Sequence, residues 1–288
     1  MVKKILITGK NSYIGNHLAK WLEKSPEEYI VVKKSVRNNY WKEIDFSSFD
    51  VVVHVAGIAH QDTKANQKEL YYKVNSELTV SIATKAKEQG VKQFIFLSSI
   101  IVYGASSRIG ENKIITKETV PEPTNFYGNS KLLGEKGLWT LQSDYFKIVI
   151  VRPPMIYGKN SKGNYPILAK FARILPVFPD IDNQRSMIHV DNLSEFLKIM
   201  IDQNELGIFF PQNKEYIKTS ELVKNISEAH GKKIILTKMF NPIINACVKV
   251  DIVNKVFGDL VYAKSMSVYK NNEYQVRDLE ESLELTEK

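Results

Sequence analysis

Short apolar runs alternate with longer amphipathic stretches along the first half of the chain. Apolar, β-branched runs between turn residues predict strands, whereas apolar positions four residues apart, as at Ile14, Leu18 and Leu22, predict a helix. The predicted strands cover residues 3–8, 29–33, 50–55, 93–98 and 147–151, and the predicted helices cover 13–24, 66–89 and 127–142. Strands that alternate with helices form parallel sheets covered on both faces. The predicted fold class is therefore α/β, with a Rossmann-like, doubly wound parallel sheet.

The pattern changes after Arg152-Pro153-Pro154, where a polar loop precedes shorter and more mixed elements. This half predicts helices at 166–174, 192–202 and 219–230, short strands at 207–210 and 233–237, and a loop at 176–186. We interpret residues 1–157 as one domain and residues 158–288 as a smaller mixed α/β annex, with some segments returning to the first domain. The annex is expected to close over the carboxyl edge of the sheet, where open α/β sheets bind ligands.

The bulk composition is that of an ordinary globular protein, with 43% hydrophobic and 25% charged residues among 288. No apolar run approaches the roughly 20 residues of a membrane span, and the apolar stretch near the start is too short for a signal peptide. The single cysteine, Cys247, excludes an internal disulfide and disfavours a cysteine-based metal site. The chain is therefore expected to be cytoplasmic and to hold no metal.

The formal net charge of +8 is carried mostly by lysines scattered along the chain. Nucleic-acid binding is disfavoured because no block of Lys and Arg is interleaved with aromatic residues. A positive surface field of this kind suits a small anionic ligand, such as a dinucleotide or a nucleotide-sugar.

A glycine-containing turn lies between the first predicted strand and the first predicted helix, in the segment Thr8-Gly9-Lys10-Asn11-Ser12-Tyr13-Ile14-Gly15. A dinucleotide-binding turn needs a tight bend, a close approach to the pyrophosphate and close packing of helix on strand. Gly9 and Gly15 meet the first and last needs, while Ser12 replaces the middle glycine. The following helix N-terminus offers oriented N–H groups to phosphate.

The end of the second strand bears on the choice between NAD and NADP. A carboxylate there binds a ribose 2′-hydroxyl, but this chain reads Lys33-Lys34-Ser35-Val36-Arg37. Cations suit a 2′-phosphate, so the segment favours NADP(H), with Arg37 as a cofactor residue and NAD(H) as the alternative. Further on, Asp45 and Phe46 are candidates to flank the adenine ring.

Tyr127 and Lys131 are the strongest candidates for chemistry, because residues four apart share one face of a helix. A phenol has a pKa of about 10, which a neighbouring ammonium and a positively charged nicotinamide ring would lower toward the range of acid–base catalysis. A predicted strand ends in Ser98-Ser99, at the edge where a substrate would bind, so Ser99 can hydrogen-bond a substrate oxygen beside Tyr127.

At these residues the sequence resembles the extended short-chain dehydrogenase/reductase family, also called the NAD-dependent epimerase/dehydratase family. The resemblance covers nearly the whole chain. Its markers are Thr8–Gly15, His54-Val55-Ala56-Gly57, Asn75, Ser98-Ser99, Val102-Tyr103-Gly104, Tyr127 with Lys131, and Arg152 to Gly158. In the annex, Lys162-Gly163-Asn164 and the segment from Asn183 to Leu193 resemble a branch that acts on UDP-N-acetylhexosamines.

The resemblance implies a role for each matching residue. Tyr127 is then the acid/base, Ser99 assists it, Lys131 holds the nicotinamide ribose, and the Pro153–Ile156 backbone meets the carboxamide. Arg185 is implied to grip the nucleotide diphosphate, a role that suits its charge. The remaining implied cofactor residues are Gly9, Asn11, Ser12, Tyr13, Ile14, Gly15, Ala56, Gly57, Asn75 and Ser98, and the remaining substrate residues are Tyr103, Lys162 and Asn164. The resemblance also implies a homodimer through the helices at 66–89 and 127–142.

Three reactions share the implied scaffold. A family 4,6-dehydratase carries an acid pair directly after the position of Ser99, because elimination needs its own acid and base. Here Ile100 and Ile101 occupy those positions, which disfavours a dehydratase. The missing ribose carboxylate and the short chain favour NADPH-dependent reduction of the C4 ketone of a UDP-4-keto-6-deoxy-N-acetylhexosamine. A UDP-sugar 4-epimerase with tightly bound NAD is the alternative, and a non-catalytic dinucleotide sensor is a second.

Overall fold

The computed structural model describes residues 2–59 and 67–288, so Asn66, where one predicted helix begins, lies outside the described residues. The chain forms two compact units. The first contains Met1–Gly104, Pro121–Pro153 and Leu193–Pro211, and the second contains Ala105–Val120, Pro154–Asn192 and Gln212–Lys288. The single division expected at residue 157 therefore becomes several chain crossings. Residues 193–211 return to the first unit because they carry a strand of its sheet.

The first unit is built on a six-stranded, all-parallel sheet. With strands numbered along the whole chain, its members are β1 (Lys3–Thr8), β2 (Tyr29–Lys34), β3 (Val51–His54), β4 (Gln93–Leu97), β6 (Lys147–Val151) and β10 (Gly207–Phe209). The spatial order is β10-β6-β4-β3-β1-β2. The chain reverses its direction of winding between β1 and β3, which confirms the doubly wound fold. The strand predicted at 207–210 is one of the segments of the second half that return to the first unit, since β10 pairs with β6 at the sheet edge.

Helices supply the layers around this sheet and bury its apolar side chains. They are α1 (Tyr13–Leu22), α2 (Lys68–Tyr72), α3 (Leu78–Glu88), α4 (Phe126–Trp139) and α6 (Val190–Asp202), the last of which crosses the unit boundary. A π-helical turn, Lys73–Glu77, joins α2 to α3. The core packs Phe94 and Phe96 of β4 against Ile148 and Ile150 of β6 and against Ile82 of α3.

The second unit has no large sheet among its described residues, and its strands form three short parallel pairs. These pairs are β5 (Ile114–Ile115) with β12 (Val261–Tyr262), β7 (Met155–Tyr157) with β9 (Met187–His189), and β8 (Val177–Pro179) with β11 (Ile235–Thr237). Its helices are α5 (Asn164–Ile174), α7 (Thr219–Ala229), α8 (Asn241–Ala246), α9 (Asp251–Phe257) and α10 (Leu279–Glu287). The segment expected to be a loop at 176–186 thus contains β8, because Phe178 is buried in this unit's core. Within the described ranges, none of the helices has the length and apolar character needed to cross a bilayer.

His54 sits at the end of β3, fully buried between the rings of Phe94 and Phe96. The Thr8 hydroxyl lies 2.8 Å from Nδ1, and the Thr79 hydroxyl lies 3.2 Å from Nε2. Because Thr79 donates its proton to the Asn75 carbonyl, it accepts from Nε2–H, and Nδ1 accepts from Thr8. Burial, assisted by the charge of Lys131, lowers the pKa of His54 to about 3.

We therefore expect His54 to make the fold sensitive to acid. The unfolded chain binds a proton near pH 6.5, whereas the folded chain stays neutral at His54 down to about pH 3. Stability from this group is complete above pH 6.5 and declines as the pH falls between these values, by up to about 1.4 kcal/mol per pH unit. Urea unfolding of wild type and His54→Gln at pH 7.5, 6 and 5 measures the slope. The free energy of unfolding should depend less steeply on pH in the variant than in wild type. Identical slopes for the two proteins would refute the role assigned to His54.

Candidate active site

The turn after β1 has the geometry that a pyrophosphate-binding turn requires. Gly9 has φ +89°, and a Cβ there would lie 3.2 Å from the Ala56 backbone. A Cβ on Gly15 would lie 2.9 Å from Val55 Cγ2, so α1 packs tightly on the sheet. Ser12 caps α1, because its Oγ accepts a hydrogen bond from Gly15 N at 3.3 Å. A side chain that caps the helix therefore occupies the position of the middle glycine.

The other residues of this turn surround the N-terminus of α1. Asn11 is exposed, and Tyr13 and Ile14 are half-buried at the first two helical positions. On the opposite side of the turn, Ala56 lies against Gly9, and Gly57 follows it. Oriented N–H groups at the start of a ten-residue helix suit an anionic diphosphate. These features fit a bound dinucleotide.

The cationic end of β2 is only partly free for a 2′-phosphate. Lys33 Nζ donates to Asn16 Oδ1 at 2.9 Å, and the Lys34 carbonyl accepts from the N–H groups of Gly9 and Lys10. The side chains of Lys34 and Arg37 are exposed. Of the predicted cations, these two therefore remain candidates for cofactor contact.

Asp45 and Phe46 separate in the structure. The Phe46 ring is fully buried in the core. The expectation that it flanks the adenine ring is therefore wrong. Its backbone N–H donates to Gln89 Oε1 at 2.7 Å. The exposed Asp45 carboxylate accepts two hydrogen bonds from Ser47, which lower its pKa. Only Asp45 of this pair presents its side chain to solvent.

Ser99 and Tyr127 are brought together by two helix starts. Ser99 caps the short 3-10 helix Ile100–Tyr103, and Asn125 caps α4 by accepting from Gly128 N at 2.9 Å. The Ser99 side chain lies near enough to the Tyr127 hydroxyl to affect its titration. Burial raises the pKa of Tyr127 to about 12, although the Ser99 side chain opposes this rise. Tyr127 is thus a protonated phenol at neutral pH, with the Ser99 side chain beside it.

Lys131 lies one helical turn after Tyr127 and is 5% exposed. Its Nζ donates to the Leu97 carbonyl at 2.9 Å and lies 4.5 Å from the centroid of the Phe96 ring. Burial lowers its pKa to about 8, which leaves it mostly protonated at neutral pH, and Glu135 opposes this lowering. The expectation that Lys131 lowers the Tyr127 pKa is not met, because the ammonium is held by the Leu97 carbonyl and the groups that shift the phenol are others.

Asn75 links the chain after β3 to α4. Its side chain receives a hydrogen bond from Ile58 N at 2.9 Å and donates to Ile58 O at 3.0 Å and to Ser130 Oγ at 3.1 Å. It is fully buried in the π-helical turn, a local irregularity that often marks functional sites. A Cβ on Gly57 would lie 3.0 Å from Asn75 Oδ1 and 3.1 Å from Lys131 Nζ. Gly57, Asn75 and Lys131 therefore meet at one point of the first unit.

A buried ion pair behind the site was missed by the sequence analysis. Arg152 donates from Nε to both Glu135 oxygens, at 3.0 and 3.2 Å, and from Nη2 to Oε2 at 2.5 Å. Both side chains are almost completely buried. One feature of the sequence could have indicated Glu135. It lies four residues after Lys131, as Lys131 lies four residues after Tyr127, so all three share one face of α4. The partner, Arg152, follows β6 directly and could not be read from that spacing.

Two predicted ligand contacts belong to this ion-pair network instead. Ser98 is buried and donates to Glu135 Oε1. Tyr103 is 6% exposed, and its hydroxyl accepts from Arg152 Nη1 at 2.7 Å. Burial raises the Tyr103 pKa. These two residues therefore contact the Glu135–Arg152 pair. The Tyr103 side chain is buried, whereas the resemblance had implied that it contacts the substrate.

The Pro153–Ile156 segment crosses from the first unit to the second. The Pro153 carbonyl accepts from Ile100 N at 2.9 Å, which ties this segment to the turn after Ser99. Ile156 is half-buried in β7 and pairs with Ile188 of β9.

In the second unit, Arg185 and Asn164 line a cleft of about 400 Å³. The Arg185 guanidinium donates to Ser106 Oγ at 2.7 Å and to the carbonyls of Gly258 and Lys255, both at 2.9 Å. Burial lowers the Arg185 pKa to about 10, so the group stays charged at neutral pH. Lys162 is exposed in the loop before α5. No group of three or more His, Cys, Asp or Glu side chains suited to a metal ion occurs in the part of the chain that the structure describes.

Comparisons with known proteins agree with this geometry. Residues 5–209 match the model of the NAD dependent epimerase/dehydratase family. A UDP-glucose 4-epimerase of Vibrio cholerae is 30% identical over 292 aligned residues, which cover 90% of this chain and 87% of that protein. An N-acetyl-alpha-D-glucosaminyl-diphospho-ditrans,octacis-undecaprenol 4-epimerase of Escherichia coli O157:H7 is 28% identical, with 94% and 86% covered.

Solved structures share the fold. The UDP-glucuronic acid 4-epimerase of Bacillus cereus in complex with NAD has a TM-score of 0.74 at 20% identity, and 98% of this chain and 97% of that chain are covered. The dTDP-4-dehydrorhamnose reductase of Bacillus anthracis in complex with NADP has a TM-score of 0.66 at 21% identity, with 84% and 86% covered. At these identities the likeness concerns the fold alone.

Proposed function

Because this chain belongs to the NAD dependent epimerase/dehydratase family of NAD(P)-dependent enzymes, we propose that it transfers hydride at C4 of a diphosphate-linked sugar. The observation that carries this proposal is the pair formed by Ser99, which follows β4, and Tyr127 of α4, with Lys131 one turn further along α4. A sensor needs no such proton donor, so this pair also favours an enzyme over a silent dinucleotide-binding protein.

Each side chain of this group has a distinct part in the proposed reaction. Tyr127, protonated in the free protein, exchanges a proton with the C4 oxygen of the sugar, and Ser99 holds that oxygen in place. Lys131 and the Asn75–Gly57 wall hold the nicotinamide ribose. The nicotinamide dinucleotide supplies or accepts the hydride when bound. The positively charged nicotinamide ring of the oxidised cofactor would favour the phenolate form of Tyr127. Burial without that charge favours the neutral phenol.

The reaction that we propose first is 4-epimerisation, which reverses the preference stated from the sequence. Two relatives that cover most of this chain are named as 4-epimerases, of UDP-glucose and of an N-acetylglucosaminyl diphosphate lipid. In an epimerase the cofactor is oxidised and reduced within one turnover, so the protein needs no fresh dinucleotide.

NADPH-dependent reduction of a UDP-4-keto-6-deoxy-N-acetylhexosamine is the second candidate. The exposed Lys34 and Arg37 after β2 favour it, since cations suit the 2′-phosphate that distinguishes NADPH from NADH. The same residues Tyr127, Ser99 and Lys131 would serve this reaction.

One pair of assays separates these reactions. We expect the purified protein to interconvert UDP-N-acetylglucosamine and its C4 epimer without added cofactor, and to release NAD on denaturation. In the second assay, a freshly made UDP-4-keto-6-deoxy sugar is mixed with NADPH, and the loss of absorbance of the reduced cofactor is followed. Stoichiometric NADPH consumption without epimer formation would replace the epimerase by the reductase. If the protein binds a dinucleotide but shows turnover in neither assay, only the non-catalytic dinucleotide sensor remains as a candidate function.

A further inference from the structure

Glu135 is a buried carboxylate on α4 to which the proposed reaction assigns no part. It is 1% exposed, and it lies one helical turn after Lys131, just as Lys131 lies one turn after Tyr127. We infer that Glu135 is a positioning residue that fixes both the place and the charge of the Lys131 ammonium, so that this ammonium can hold the nicotinamide ribose. The inference rests on the proposed function, from which it takes the role of Lys131.

Glu135 is linked to Lys131 through the end of β4. The Ser98 hydroxyl donates to Glu135 Oε1. The residue before it is Leu97, whose carbonyl accepts from Lys131 Nζ at 2.9 Å. The Ser98 N–H donates in turn to the Val151 carbonyl at 2.7 Å. A carboxylate that holds the Ser98 side chain therefore also fixes the neighbouring carbonyl to which the ammonium donates.

Arg152 holds the Glu135 carboxylate in one orientation. Its guanidinium makes three contacts with the two carboxylate oxygens, at 3.0, 3.2 and 2.5 Å. The remaining nitrogen, Nη1, donates to the Tyr103 hydroxyl at 2.7 Å, which fixes the plane of the guanidinium. A carboxylate in a dry environment needs such a partner to keep its charge. The ion pair therefore places a negative charge one helical turn from Lys131.

The charge of Glu135 bears on the protonation of Lys131. Burial lowers the pKa of Lys131 to about 8, and Glu135 opposes this lowering. A charged amine holds hydroxyl oxygens more firmly than a neutral one, because a charge-assisted hydrogen bond is roughly twice as strong as a neutral one. Without the Glu135 charge, a smaller fraction of Lys131 would be protonated at neutral pH, and the ribose would be held less firmly.

The other ionisable groups around Lys131 each keep one charge state between about pH 6 and 9. His54, at the end of β3, has a pKa of about 3 and stays neutral. Burial raises the pKa of Tyr127 to about 12 and also raises that of Tyr103, so both phenols stay protonated. Arg152 stays charged, since a guanidinium does not lose its proton in proteins. A change in dinucleotide binding over this range therefore reports on Lys131.

The pH dependence of dinucleotide release tests the inference. The full chain is loaded with isotopically labelled NAD and diluted into unlabelled NAD, and the rate of release is measured between about pH 6 and 9. In wild type, release should become faster as the pH rises and Lys131 loses its proton, since its pKa is about 8 in the free chain. In Glu135→Gln the same rise should occur at least about one pH unit lower.

Further variants separate the charge of Glu135 from its contribution to packing. Glu135→Gln keeps the shape and loses the charge, whereas Glu135→Asp keeps the charge and shortens the side chain. The rise in Glu135→Asp should therefore lie closer to that of wild type. Glu88→Gln is the matched control, because Glu88 is exposed on α3 of the same unit, and its profile should equal that of wild type. If circular dichroism shows that Glu135→Gln is unfolded, Glu135→Gln with Arg152→Met takes its place, since it leaves no charge unpaired.

A release profile of folded Glu135→Gln that equals the wild-type profile, or that lies closer to it than the profile of Glu135→Asp, would overturn the inference. Turnover that depends on Tyr127, together with a release of NAD that is independent of pH, would also overturn it while the proposed function stands. The expected shift in release without turnover in either assay would support the inference, and the proposed function would then fail alone.

Discussion

Replacing Tyr127 by phenylalanine should lower kcat by about 10²- to 10⁴-fold, the range typical of the loss of a positioned general acid or base. The variant keeps the ring that packs edge-on against Tyr71, with centroids 6.0 Å apart, and removes only the hydroxyl beside Ser99. Binding of the dinucleotide should change little, because Lys131, Asn75 and the Gly9 turn are untouched. Steady-state kinetics with titration of the cofactor measure both quantities.

Tyr103→Phe is the matched control for that result. It also removes a tyrosine hydroxyl from the first unit, but this hydroxyl accepts from Arg152 behind the site. We expect kcat of this variant to stay close to that of wild type, with a modest loss of stability. The role assigned to Tyr127 is untenable if Tyr127→Phe keeps wild-type kcat, or if both variants lose activity equally.

Replacing Glu135 by leucine should lower the free energy of unfolding by about 3–5 kcal/mol, the cost of leaving one member of a buried ion pair without its partner. Arg152, 5% exposed, would keep its charge in a dry environment, and Ser98 would lose the carboxylate to which it donates. The pKa of Lys131 should fall further, because Glu135 opposes its lowering. Urea unfolding followed by circular dichroism measures the loss of stability.

The double variant Glu135→Leu with Arg152→Met distinguishes a stranded charge from lost packing. With both charges removed, we expect much of the stability lost by Glu135→Leu alone to return. A double variant less stable than the sum of the two single changes would contradict this explanation. So would a loss below about 1 kcal/mol for Glu135→Leu, because a loss that small is typical of exposed pairs.

The accuracy of the sequence predictions followed the burial of each element. The predicted bounds of β1 and β6 agree with the structure residue for residue, because each strand contains a run of buried apolar residues, Ile5–Ile7 in β1 and Ile148–Val151 in β6. In contrast, β8 has three residues, two of them half-buried, so its pattern does not differ from that of a loop. A strand at 207–210 was predicted, but its place in the sheet of the first unit depends on pairing with β6, more than 50 residues earlier in the chain.

The candidate site divides in the same way. Residues near in sequence were predictable, since the turn from Gly9 to Gly15 and the Tyr127–Lys131 face depend on local geometry. Phe46, Tyr103 and Ser98 were assigned to ligands, although the structure places Phe46 in the core and the other two on the Glu135–Arg152 pair. A residue's side-chain direction in a folded chain depends on what packs against it, which the linear pattern does not record.

The order of residues along this chain was enough to determine the doubly wound sheet, the tight glycine turn after β1 and the placement of Tyr127 and Lys131 one turn apart on one helix. These features follow from periodicity and short-range sterics. The tertiary structure alone decided that Lys131 donates to a backbone carbonyl, that Glu135 and Arg152 form a buried pair, and that an apolar cleft lies beside Arg185. Each of these depends on contacts between distant segments and on the loss of water around them, and both arise only when the chain is packed.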